Sequence, residues 1–207
     1  MPETTPTRLH KPAATEYPIL DVIKNRFSPR TYDPRPVEAD KLRLILEATR
    51  WAPSSMNTQP WRFIIAQRQH DEQFAAMLDV LNEGNQAWAQ HAGVLMIAVA
   101  REEHDGGYPN KHAEHDTGQA LAYLSLQATE LGLHLRMMGG FSADKARATY
   151  GIPEGYHALT AVALGYLGAL EQLDEAGQER ERRPRTRKPL SEWVFADRWE
   201  HTADLVK

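Results

Sequence analysis

The 207-residue chain is 42% hydrophobic and 25% charged with a formal net charge of −4, the profile of one soluble domain large enough to bury a real core. That balance supplies no global field for nucleic acid or an anionic membrane. The absence of cysteine excludes disulfides, thiolate nucleophiles and Cys-ligated metal sites.

Residues 1–16 are polar, carry Pro2, Pro6 and Pro12, and lack the apolar stretch of a secretory signal. They are expected to form a disordered or loosely docked arm, with one domain over residues 17–207. Ile19, Leu20, Val22 and Ile23 begin a short helix leading to Arg26, and Pro34 and Pro36 then interrupt regular structure. Leu42, Ile45, Leu46 and Thr49 recur at helical spacing over residues 38–49, and Pro53 stops anything longer. Residues 61–67 read as a strand. Phe74, Met77, Leu78 and Leu81 mark another helical face. The continuous apolar run 94–100 predicts a strand buried on both faces. Residues 101–111, with Gly106, Gly107 and Pro109, read as a mobile loop and a candidate lid.

A long helix is expected over residues 116–132, ended by Gly132. Gly139 and Gly140 form a turn, after which Ser142 caps a helix reaching about Tyr150. Residues 157–167 are strand-like. Residues 173–183 read as an exposed polar linker, and Leu190, Trp193, Val194, Phe195 and Trp199 form an apolar tail that must dock on this subunit or on a partner. The longest nearly apolar run, 158–170, is too short to cross a bilayer. Helices and strands are thus mixed in an α+β or loosely α/β arrangement, and the chain reads as cytoplasmic, with no membrane and no nucleic-acid partner.

Two segments carry chemistry. Arg26, Ser28 and Arg30 suit a phosphate, which guanidinium groups bind bidentately; the same residues also read as a helix end followed by surface arginines. Residues 53–61 (Pro-Ser-Ser-Met-Asn-Thr-Gln-Pro-Trp) place two hydroxyls and the amides of Asn57 and Gln59 between a helix and a strand. Such a loop suits a flat heteroaromatic ligand edged with C=O and N–H, or simply caps and turns. The basic run 180–188 reads as a nucleic-acid contact or a solvated linker, and the overall acidity and lack of interleaved aromatics favour the linker. His112 and His115 stand at metal-ligand spacing, yet no companion motif accompanies them, so lid and helix-start roles are preferred.

The chain resembles the FMN-dependent nitroreductase family. The resemblance rests on Arg26-Phe27-Ser28-Pro29-Arg30, Pro36-Val37, Ala52-Pro53-Ser54-Ser55-Met56-Asn57-Thr58-Gln59-Pro60-Trp61, Gly139-Gly140-Phe141, Gly151-Ile152-Pro153-Glu154-Gly155-Tyr156 with Gly165-Tyr166, and Arg185-Thr186-Arg187-Lys188-Pro189-Leu190. It implies an α+β fold with a central mixed sheet flanked by helices, in an intertwined homodimer with an exchanged C-terminal tail. It implies FMN as cofactor, NADH or NADPH as donor, and a small-molecule electron acceptor such as a nitroaromatic or quinone, reached by a ping-pong mechanism. A specialised flavin reaction on the same scaffold (reductive dehalogenation, flavin modification) and a low-turnover flavin-binding role stand as alternatives.

By the same resemblance, Arg26 and Ser28 meet the phosphate or ribityl chain, with Arg185 and Arg187 closing from the far end of the chain. Arg30 sits near the flavin N1–C2=O edge, where a cation stabilises the negative charge of the reduced ring. Pro53, Ser54, Ser55, Asn57 and Gln59 belong to the loop that reaches the flavin of the neighbouring subunit. Asn85 falls at the pyrimidine edge, and Gly139 and Gly140 admit backbone close to N5. Where some members carry an acidic residue this chain has Gly139, and where some carry a lysine it has Trp88. No acid–base side chain is expected to be catalytic, because solvent can supply protons.

Overall fold

The computed structural model describes residues 8–206. The chain runs α1 (Asp21–Asn25), β1 (Tyr32–Asp33), α2 (Ala39–Arg50), β2 (Trp61–Gln67), α3 (Asp71–Val80), α4 (Glu83–Ala89), β3 (Val94–Arg101), α5 (Ala113–Glu130), β4 (His134–Met138), α6 (Ala143–Tyr150), β5 (Tyr156–Leu167) and α7 (Glu175–Arg182).

The apolar run of β3 divides its side chains between two cores. Val94, Met96 and Ala98 pack with Leu42 and Ile45 of α2 and with Leu121 and Leu124 of α5. Leu95, Ile97 and Val99 pack on the other face with Phe74 and Met77 of α3 and Trp88 of α4. The sheet is therefore the middle layer of three, which explains why β3 has no polar alternation. β2 pairs with β3 in unbroken register from Trp61↔Ala100 to Gln67↔Val94. β5 pairs with β3, with β4, and through Tyr166 and Leu167 with β1. A register shift between Ala98 and Val99 brings Ala158 to the same core as Ala161, which strict alternation would separate.

Every strand pairing among the described residues is antiparallel, where a mixed sheet was expected. The type of connection does not set the direction: two helices lie between β2 and β3 and a single helix, α6, between β4 and β5, and both pairs run antiparallel. The strands at 61–67, 94–101 and 156–167 and the Ser142 cap, whose hydroxyl accepts the Lys145 N–H at 3.1 Å, fall where the sequence places them.

Residues 175–182 are a helix and not a linker. Asp174 caps it by accepting the Gly177 N–H at 2.7 Å, and Glu181 on its inner face is buried. The 101–111 loop is folded on itself: Glu103 bridges to Pro109, and the His104 ring stacks on Tyr108 at 4.4 Å. Of the N-terminal arm, residues 1–7 lie outside the described residues. Residues 8–16 run as coil, with Ala13 N–H donating to the Lys24 carbonyl at 2.8 Å. The aromatic tail keeps Trp193 58% and Trp199 80% exposed, with Phe195 edge-on to Trp199. Among the described residues, no helix is long and apolar enough to cross a membrane.

Candidate functional site

Three groups of the expected residues take shape. The first is cationic. Arg26 follows the last turn of α1, and Arg185 and Arg187 follow α7. Arg185 is anchored by donating Nη1 to the main-chain oxygens of Lys11 at 2.9 Å and Lys24 at 2.8 Å. Arg26 donates to Ser28 Oγ at 3.3 Å. Burial, with Arg187 alongside, lowers the Arg26 guanidinium from its ordinary value. Burial, then Arg26 and Arg187, does the same to Arg185. None of the three has an ion-pair partner among the described residues. They rim a crevice of about 940 Å³, which Tyr17, Ile23 and Trp193 also line. Packed like charges without a counter-ion are unfavourable, and a dianionic phosphate at their centre removes that cost.

The second group lies at the other end of β4. The Asn85 side-chain amide donates to the Gly140 carbonyl at 2.9 Å. A Cβ on Gly140 would meet Asn82 Nδ2 at 2.4 Å and Asn85 Nδ2 at 2.6 Å, whereas Gly139 has open space around it. Asn82 holds this corner by capping α4: its Oδ1 accepts the Asn85 N–H at 3.0 Å.

Segment 26–30 and β4 connect the two groups. Phe27 packs on the His134 ring at 4.7 Å, and Arg136 Nη1 donates to the Ser28 carbonyl at 2.6 Å. From His134 to Gly140 an extended chain covers about 20 Å, at ~3.3 Å per residue, a span suited to a tricyclic ring, a five-carbon chain and a phosphate. Trp88 is buried core, stacked on Tyr32, with the Arg136 guanidinium over its outer face. Arg30 is committed to Glu181, Nη1 to Oε1 at 3.0 Å.

The third group is the 53–59 loop. Ser55 N–H donates to the buried Asp116 Oδ2 at 2.9 Å, and Gln59 N–H donates to Ser54 Oγ at 3.1 Å. Gln59 Nε2 donates to Asn57 through both its main-chain and side-chain oxygens. Met56, Asn57 and Gln59 stand at φ 51°, 56° and 46°, left-handed geometry that costs non-glycine residues about 1–3 kcal/mol each. Among the described residues, no hydrogen bond or ion pair joins this loop to either of the first two groups. Its fixed points are Asp116, Asn110 and Arg62, and it holds Met56 78% exposed.

Arg136, Glu181, Asn82 and Asp116 are the residues that sequence reasoning missed. Asn82 had a readable signal, standing three residues before Asn85 at the start of a helix. The other three act through contacts distant in sequence.

His134 carries a further consequence. Burial pushes its imidazole down to about 4, and its buried Nδ1 has no hydrogen-bond partner. The unfolded chain takes up this proton near pH 6.5 while the folded one does not, so stability is full above about 6.5 and falls as the pH drops toward 4. Melting temperatures across that window are expected to decline less steeply in His134→Phe.

Residues 23–92 and 69–166 match the model of the Nitroreductase family. An NADH dehydrogenase of Thermus thermophilus is 30% identical over 181 residues, covering 72% of this chain and 88% of that protein. An oxygen-insensitive NAD(P)H nitroreductase of Salmonella typhimurium is 27% identical over 194 residues, with the same 72% and 88% coverage. Among solved structures, an oxidoreductase containing FMN aligns with a TM-score of 0.86 at 34% identity, covering 96% of this chain and 100% of that one.

Proposed function

The chain belongs to the nitroreductase family, and on that footing we propose a cytoplasmic homodimer that oxidises NADH or NADPH through bound FMN and reduces flat, electron-poor acceptors such as nitroaromatics or quinones. Dependence on FMN and a nicotinamide donor follows from the family and from relatives named for NAD(P)H and for FMN. The observation that carries the site assignment is the trio Arg26, Arg185 and Arg187, three cations without carboxylate partners among the described residues, beside the Phe27 that packs on the start of β4, the strand that leads to the Asn85–Gly140 corner.

In this reading the three arginines and Ser28 bind the phosphate. Arg30 faces the pyrimidine edge of the ring, while Asn85, Gly139 and Gly140 border it. Bound FMN supplies hydride chemistry, accepting from the nicotinamide and giving to the acceptor in ping-pong order. Asp116 holds the 53–59 loop in its left-handed geometry, and the loop, joined to its own cationic group by no hydrogen bond or ion pair among the described residues, presents Pro53, Ser54, Ser55, Asn57 and Gln59 to the site of the second subunit. The exposed Trp193 and Trp199 belong to a tail exchanged in the same dimer.

The test is the visible spectrum of the purified protein, followed by steady-state oxidation of NADH and NADPH with a quinone or nitroaromatic. A flavin bound one per subunit and parallel double-reciprocal lines are expected. A colourless protein that ignores added FMN overturns the proposal, and intersecting lines overturn the ping-pong order.

A further inference from the structure

Glu181 is a buried carboxylate that the proposed reaction leaves without a task. It sits on the inner face of α7 with its side chain 4% exposed, and its Oε1 accepts from Arg30 Nη1 at 3.0 Å. Burial, then Arg30, lowers the Arg136 guanidinium from its ordinary value, and the nearby Glu181 opposes part of that lowering. Two guanidinium groups thus lie near one carboxylate, Arg30 in contact with it and Arg136 within its field, the hydrogen bond of Arg136 going to the Ser28 carbonyl. A buried carboxylate removed from water is stable only with such partners.

We propose that Glu181 is a positioning residue for the flavin reaction: it fixes the direction of the Arg30 guanidinium and offsets part of its charge, and so sets the reduction potential of the cofactor. This rests on the FMN reading of the site. A fixed cation beside the ring favours the reduced, negatively charged cofactor. A carboxylate 3.0 Å from that cation cancels part of its field in a half-buried place where charges are poorly screened. Two arginines against one glutamate leave a net charge of about +1 facing the cofactor, and neutralising the glutamate raises it to about +2. The main-chain oxygen of Glu181 also accepts from Lys11 Nζ, so the N-terminal segment holds its main chain while its carboxylate meets Arg30.

The experiment is a potentiometric titration of the flavin in holoprotein. Glu181→Gln keeps the side-chain shape and removes the charge. Its flavin is expected to favour the reduced state about tenfold more than wild type, a rise of about 30 mV for a two-electron couple. Arg30→Gln is expected to lower the potential, and adding Glu181→Gln to Arg30→Gln is expected to change it by less than a third of the single-variant shift. A purely structural role would lower the melting temperature of Glu181→Gln and leave the potential unchanged, which overturns the proposal. An equal rise with and without Arg30 overturns it as well. If Glu181→Gln does not fold, Arg30→Gln alone decides: an unmoved potential shows that Arg30 does not face the ring, and the proposal falls. Flavin bound at an unchanged potential sinks this proposal alone, whereas failure to bind flavin sinks the FMN reading with it.

Discussion

Replacing both Arg26 and Arg187 by alanine is expected to weaken FMN binding by about 10²- to 10⁴-fold. A hydrogen bond to a charged group contributes about 1.5–3 kcal/mol, and each 1.4 kcal/mol is tenfold in affinity. Removing Arg187 alone acts differently on the empty protein. Arg26 is depressed partly by Arg187, and Arg185 by both, so the cluster is strained by its own charge when no anion is bound. Arg187→Ala, whose guanidinium donates only to its neighbour's carbonyl at Thr186 among the hydrogen bonds described, is therefore expected to leave the apoprotein as stable as wild type or slightly more so. Titration of apoprotein with FMN and with riboflavin separates the contributions. The variants should lose affinity for FMN and retain it for riboflavin, which lacks the phosphate. Equal losses for both ligands would place the arginines elsewhere on the cofactor.

Gly140→Ala is expected to cost about 2–4 kcal/mol, combining overpacking with damage to a helix cap. The added methyl would lie 2.4 Å from Asn82 Nδ2 and 2.6 Å from Asn85 Nδ2. Neither amide can withdraw freely. Asn82 caps α4 through the Asn85 N–H, and Asn85 donates to the Gly140 carbonyl. In a chain of this size that loss lowers the melting temperature by roughly 4–16 °C, and flavin content should fall with it because the corner of the ring site is displaced. Gly139→Ala is the internal comparison. Nothing lies within 4 Å of its added Cβ, so thermal unfolding should match wild type to within about 0.5 kcal/mol.

The elements most legible in the sequence are those whose surroundings are uniform. Residues 94–100 read as a strand because both faces meet apolar cores, and residues 142–150 read as a capped helix because Ser142 signals its start. β4 was hidden for the opposite reason. His134 and Arg136 lie under segment 26–30 while Leu135 faces the core, so its polar residues resemble a loop. α7 was hidden because its Glu and Arg content is that of a solvated linker, and only folding shows that Glu181 points inward to Arg30. The arginines at the two ends of the chain were legible through the family resemblance, and the structure brings them together. The anchor of the 53–59 loop was not legible. Ser55 and Asp116 are joined by a main-chain N–H, which any residue at position 55 other than proline would supply.

The Arg185 side chain ties the carbonyls of Lys11 and Lys24 to the closing part of the polypeptide. Nothing made early in synthesis can form that cradle alone: Arg26 emerges first, bonded to its neighbour Ser28, and waits until residues 185–187 leave the ribosome. If the arginines seat the phosphate as proposed, capture of the nucleotide is a late event in biogenesis, and nascent chains truncated before residue 185 are expected not to retain it.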